Sequence, residues 1–145
     1  MLKFPKDKLK EIIIKEGFLK PEEFDRLDEE SSRKQQSVAD VLISQGLITQ
    51  EYLYGLIAKS FNVSRFDINI QKIDESALNL IPEEISRRYR LIILNREPSG
   101  VLDVAMEDPA NLEIVEFLER RLQAKIKPFL ATEEELSRGF ALYEA

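Results

Sequence analysis

The chain of 145 residues has no cysteine and no histidine. Without Cys there is no disulfide framework and no thiolate metal site. Without His the commonest metal ligand and the commonest general base are missing. Ser-His-Asp, Cys-His and typical zinc chemistry are therefore excluded. Glycine is scarce: Gly17, Gly46, Gly55, Gly100 and Gly139 are all there is. None is spaced as the GxxxxGK[ST] phosphate loop requires, so the chain holds no motor of that type. No apolar run approaches the roughly 20 residues that span a bilayer. The opening "MLKFPKDKLKE" is amphipathic and charged, unlike a signal peptide. The expectation is a soluble cytoplasmic protein without direct membrane insertion. Basic charge is also short. The net charge is −6 and the pI about 4.9, which opposes a phosphate backbone and hence nucleic acid. The cluster Arg87, Arg88, Arg90 is too small to reverse that.

What is present is an ordinary core-forming composition, 43% hydrophobic and 33% charged. A chain of this length buries about 70% of its unfolded surface, enough for one domain or two small lobes. Two stretches read alike, "IIIKEGFLKPEEFDRL" from Ile12 and "VLISQGLITQEYLYGL" from Val41. In the first, Leu9, Ile12 and Ile13 make a helical stripe. Gly17 suits a left-handed helix end, Phe18 and Leu19 are expected to tuck in, and Pro21 opens a second helix with Phe24 and Leu27 inward. "DEESSRKQQS" reads as a helix end running into a loop. In the second, Val38, Val41 and Leu42 form the stripe. Gly46 ends it, Leu47 and Ile48 plug the junction, and Thr49 caps a helix burying Tyr52, Leu53, Leu56 and Ile57. The two glycines stand 29 residues apart, an internal repeat with its junction intact.

From Phe61 the texture changes. "SRFDINI" alternates as a short strand. Residues 76–90 are helical, with Leu78, Ile81 and Ile85 inward and Pro82 interrupting. "LIILNREPSGVLDVAM" predicts a hairpin through Pro-Ser-Gly. "EDPANLEIVEFLERRLQ" predicts a helix with an Asp-Pro start and Leu112, Val115, Leu118 and Leu122 at helical spacing. "KIKPFLA" reads as a strand, at an edge because Pro128 cannot donate to a ladder. Thr132 and Glu135 form a capping box for a last helix. The fold class is α+β. A helical N-terminal lobe of two helix-Gly-helix repeats, 1–60, precedes a lobe with a small mixed sheet covered by helices, 61–145.

These residues resemble the N-terminal domain of type II secretion and type IV pilus assembly ATPases. In that family an apolar-Pro-Glu-Glu segment precedes Arg-Arg-Tyr and an apolar strand. A hairpin ending "VAMxDP", a helix, a strand and an "ATEEE" helix start follow. Here these are "LIPEEISRRYRLIIL", "VLDVAMEDP" and "LATEEEL", in order. The likeness runs from about Lys8 to Tyr143. It implies a non-catalytic docking and regulatory domain. Its partners would be the cytoplasmic part of an inner-membrane assembly protein and its own ATPase motor, placing the chain at the inner membrane through a partner. The start at Met1 and stop at Ala145 fit either an excised domain or a free-standing regulatory relative.

Family members of the MshEN type bind cyclic di-GMP through two motifs resembling RLGxxLxxxGLLTxxQLxxALxxQ with a five-residue spacer. The register places them at Lys8–Ser31 and Ser37–Ser60. The resemblance implies contacts from Lys8, Leu9, Gly17, Phe18, Leu19, Val38, Gly46, Leu47 and Ile48, with Arg33 and Lys34 of the spacer able to compensate for missing cations. The apolar frame is kept but the polar readers are replaced. The leading Arg is Lys8 and then Ser37, the small Gly is Lys10 and then Ala39, the middle Gln is Glu23 and then Tyr52, and the closing Gln is Ser31 and then Ser60. Lys cannot stack and fork like Arg, and Ser reaches neither. Protein docking is therefore expected over cyclic di-GMP sensing, with no cofactor. The acidic runs Asp28–Glu30 and Glu133–Glu135 read as solvated helix faces, not metal sites. Tyr52, Tyr54 and Phe61 are candidate partner-binding aromatics.

Overall fold

The computed structural model describes residues 5–66 and 72–144. The chain divides into two compact units, Met1–Ile57 and Ala58–Ala145, with the division inside a helix.

In the helical unit, the stripes become α1 (Lys6–Lys15), α2 (Pro21–Arg33), α3 (Val38–Ser44) and α4 (Gln50–Ser60). Each ends by one device. Gly17 and Gly46 have φ of +78° and +72°. The Gly17 amide donates to Ile14 O at 3.0 Å and the Phe18 amide to Ile13 O at 3.1 Å. Gly46 and Leu47 repeat this on Ile43 and Leu42. These paired bonds satisfy the last helical carbonyls. Helices α2 and α4 close the same way without glycine, on Gln35 and Asn62 at φ of 56° and 57°. The starts are capped as the sequence implies. Pro21 is the first residue of α2, Ser37 accepts from the Asp40 amide, and Thr49 accepts from the Tyr52 amide at 3.2 Å. Leu9, Ile13, Phe24, Val41, Leu42, Leu53 and Ile57 are buried. Burying such a side chain stabilises by about 1.5–3 kcal/mol.

Helix α2 ends at Arg33, within "DEESSRKQQS", and a loop follows, as that stretch implies. Ser31 is buried and turns its hydroxyl back to Asp28 O at 2.7 Å, while Glu30 pairs with Lys34 one turn on. Phe18 and Leu47 do not tuck in: they are exposed, leaving Ile48 buried and Leu19 half-buried as the corner residues.

Among its described residues the second unit holds a four-stranded sheet in the order β1-β4-β3-β2. Its strands are β1 (Ser64–Arg65), β2 (Leu91–Arg96), β3 (Leu102–Met106) and β4 (Ile126–Leu130). The hairpin β2–β3 is antiparallel, whereas β3–β4 and β1–β4 are parallel. Residues 67–70 of the expected strand "SRFDINI" lie outside the described residues. Around the sheet stand α5 (Glu75–Leu78), α6 (Glu83–Tyr89), α7 (Leu112–Leu122) and α8 (Glu133–Phe140), followed by a short 3-10 turn at Ala141–Glu144. Pro82 separates α5 from α6. Strand β2 is buried on both faces, so it reads as an unbroken apolar run. Ile92 and Leu94 pack with Phe66, Phe129, Leu136 and Phe140, whereas Leu91 and Ile93 pack with Val104, Met106 and Leu118. The ladder shifts between Ile93 and Asn95, and Leu94 O accepts the Asp74 amide at 2.8 Å instead.

Strand β4 is not at the edge, contrary to the reading of Pro128. Leu130 O accepts the Phe66 amide on the β1 side, and the Ala131 amide donates to Met106 O on the β3 side. By alternation the missing N–H of Pro128 faces β1. That ladder begins only at Ser64, opposite Phe129, so no bond is lost. Helix α7 also departs from expectation: Asn111 caps it, not Asp108, and Leu112 is 69% exposed. Thr132 and Glu135 do form a capping box. Glu135 Oε1 also takes Arg65 at 2.7 Å, tying β1 to α8.

Candidate functional site in the helical unit

The motif positions that would read a ligand sit mainly on α1, α2, α3 and the turn after α3, and most are already engaged. Lys10 pairs with Asp25 at 2.8 Å and lies over the Phe24 ring. Glu23 accepts from the Lys20 amide at 3.0 Å. Ser31 is held by Asp28 O, and Ser37 caps α3 through the Asp40 amide. Ala39 is buried. Tyr52 meets the Phe18 ring edge-on, with centroids 5.5 Å apart. Lys8 is exposed.

The residues expected around a dinucleotide are split between two clefts. One, of about 370 Å³, is lined by Leu19, Glu23, Arg26, Leu27, Glu30, Arg33 and Leu47. The other, of about 240 Å³, includes Leu9, Ser31, Ser37, Val38 and Ala39. Gly17, Phe18, Gly46 and Ile48 line neither. Lys34 is bound to Glu30 at 2.9 Å, and Gln45 also donates to Glu30 at 3.1 Å. The Lys34 bond, then the Gln45 bond, hold the Glu30 carboxyl below its ordinary pKa.

The aromatic candidates separate clearly. Tyr52, expected on the buried face of α4, is instead 51% exposed, Tyr54 is 8% exposed and belongs to the core, and Phe61 is half-buried. Tyr54 is therefore withdrawn as an anchor: one step round α4 from Leu53, it turns inward. Phe18 and Leu47, at 37% and 43%, replace it. They occupy the same position in the two repeats, directly after the left-handed glycine, where their apolar character alone suggests corner plugs. Arg26 was also missed, although its seven-residue spacing from Arg33 puts both on one face of α2.

Among the described residues no group of His, Cys, Asp and Glu could hold a metal ion, and no helix is long and apolar enough to cross a membrane. One acidic pair stands apart in the second unit. Glu97 Oε2 and Asp103 Oδ1 are shut from solvent without a donor. The hydrogen bond to Asp103, then burial, then the charge of Asp103 raise the Glu97 pKa, against a smaller pull from Lys127. A protonated Glu97 carboxyl would supply the missing donor.

The family model of the MshEN domain matches residues 61–145, more than half of the chain. The chain belongs to the MshEN domain family. That is the N-terminal domain family of type II secretion and type IV pilus ATPases, as the likeness in sequence implied. A structure of MshE with cdg is 26% identical, with a TM-score of 0.76, over 93% of this chain and 97% of that one. Two structures of the N-terminal domain of XpsE share the fold, at 14% and 12% identity and TM-scores of 0.61 and 0.54. Each covers 97% of both chains. No curated protein matches the chain.

Proposed function

We propose that this MshEN domain is a non-catalytic docking module. It joins a secretion or pilus ATPase to the cytoplasmic part of an inner-membrane assembly protein, and so works in the cytoplasm at the membrane through that partner. The observation that carries this reading is the aromatic pair Phe18–Tyr52. It contributes one ring from each repeat, both stand exposed, and Leu47 is exposed at the second corner. Large rigid side chains left in water at defined positions are the usual anchors of a protein interface. Capture of the cytoplasmic domains of assembly-platform proteins tests it, using wild type and the double variant Phe18→Ser/Tyr52→Ser. The wild type should capture one such domain and the variant lose it at least tenfold. No capture by wild type removes the docking reading, and equal capture removes this surface.

The second reading is a cyclic dinucleotide sensor. The likeness to the structure of MshE with cdg favours it, because that match spans nearly the whole chain. Against it stands the use of Lys10, Glu23, Ser31 and Ser37 in the unit's own bonds. Each charge-assisted bond to a ligand is worth about 1.5–3 kcal/mol. Freeing these groups would subtract from whatever they gained.

A further inference from the structure

The 370 Å³ cleft of the helical unit has an uneven charge account. Its two glutamates are satisfied: Glu23 by the Lys20 amide, Glu30 by Lys34 and Gln45. Its two arginines are not. Arg26 and Arg33 make neither a hydrogen bond nor an ion pair among the described residues, and the Arg33 charge acts on Glu30 only weakly, after the Lys34 and Gln45 bonds. Both are exposed. They are seven residues apart on α2, two turns and about 10.5 Å along the axis. Leu19, Leu27 and Leu47 supply the apolar floor around them.

From this we infer that the cleft takes an acidic amphipathic helix of a protein partner. Its carboxylates stand seven residues apart, and its apolar residues lie between them. The match is geometric as well as electrical. A helix laid along α2 repeats on the same face every seven residues, so two carboxylates at that spacing meet both guanidiniums at once. A guanidinium takes a carboxylate with two parallel N–H bonds, which fixes register. The apolar floor accepts the leucines or valines between, as helix-in-groove recognition requires. The inference rests on the docking reading and names the partner's chemistry at one place on it.

The test is selection from a display library of helical peptides with one face randomised. The bait is the wild-type protein, counter-selected on Arg26→Glu/Arg33→Glu. Enriched binders should carry Asp or Glu seven residues apart around apolar positions. Their affinity should fall at least tenfold on Arg26→Gln/Arg33→Gln, and fall again as salt is raised. Circular dichroism checks that the variants remain folded, and exposed Arg to Gln on a helix surface should leave them so. Three results would overturn the inference. The first is binders without the acidic pair. The second is binders held equally by Arg26→Gln/Arg33→Gln. The third is displacement of the peptides by micromolar cyclic di-GMP, which would give the arginines to a phosphodiester. Binders that meet the expectation yet fail to compete with any platform domain would leave the cleft assignment standing and count against the docking reading alone.

Discussion

The two units place their apolar side chains differently. In the α/β unit, β2 is sealed on both faces: Ile92 and Leu94 on one side, Leu91 and Ile93 on the other. In the helical unit the stripes are buried, and Phe18, Leu47 and Tyr52 remain in water. The family model matches the α/β unit at residues 61–145, whereas the repeats and the exposed corners lie before it. A sheet packed on both sides constrains nearly every residue of a strand. A helix pair requires only a stripe and a hinge, which leaves its outer positions open to change. Function is proposed at positions that the helical packing does not use.

The comparison can be broken first at the sheet. Ile92→Ala should destabilise the α/β unit by about 2–5 kcal/mol, measured by urea unfolding. A loss below 1 kcal/mol would mean the two faces are not both packed. Gly139→Ala comes next. A Cβ on this glycine of α8 would lie 2.0 Å from Ile92 Cδ1, and overpacking of this kind costs about 1–3 kcal/mol. Combining it with Ile92→Val should return part of the loss.

At the hinges the effect is smaller and has another cause. Around Gly17 and Gly46 an added Cβ would meet nothing within 4 Å. Only the backbone resists, at about 1–2 kcal/mol for an ordinary residue in the left-handed region. Gly17→Ala and Gly46→Ala should each cost that much. Gly17→Asn should cost less, since Asn62 already holds the same conformation in this chain. At the far end of the scale, Phe18→Ser and Tyr52→Ser should change stability by no more than about 0.5 kcal/mol while removing partner capture. A large stability loss would make these rings structural.

The acidic pair gives an effect visible only in pH dependence. The Glu97 pKa is raised above its ordinary 4.5, so the folded state holds a proton that the unfolded state releases. That contribution is full below about pH 4.5 and is lost as pH rises through the raised folded value. Glu97→Gln keeps a donor facing Asp103 at every pH. Its melting temperature should fall less than that of wild type between pH 4.5 and neutrality. A steeper fall in the variant would refute the raised Glu97 value.

Much of this fold was legible where a residue type has one conformational use. Gly17 and Gly46 marked the left-handed ends, Thr49 and Thr132 the caps, and the Pro-Ser-Gly segment a turn. The misplaced elements share a physical reason. Pro128 announces a missing donor but not the side on which it is missing, and the short reach of β1 decides that. Phe18, Leu47 and Leu112 are apolar by composition, but periodicity does not reveal whether a face meets the core. Tyr54 turned inward for the same reason. At the candidate site, the motif register identified the altered positions. It did not show that Lys10, Ser31 and Ser37 had acquired structural partners, because those partners come from turns or from a second helix.

The central claim is that the repeats keep a frame for folding while their polar positions serve the fold itself. Calorimetric titration of the protein with cyclic di-GMP at low salt tests it most directly. The account predicts no saturable heat at micromolar ligand, whereas a micromolar dissociation constant with one dinucleotide per chain would contradict it.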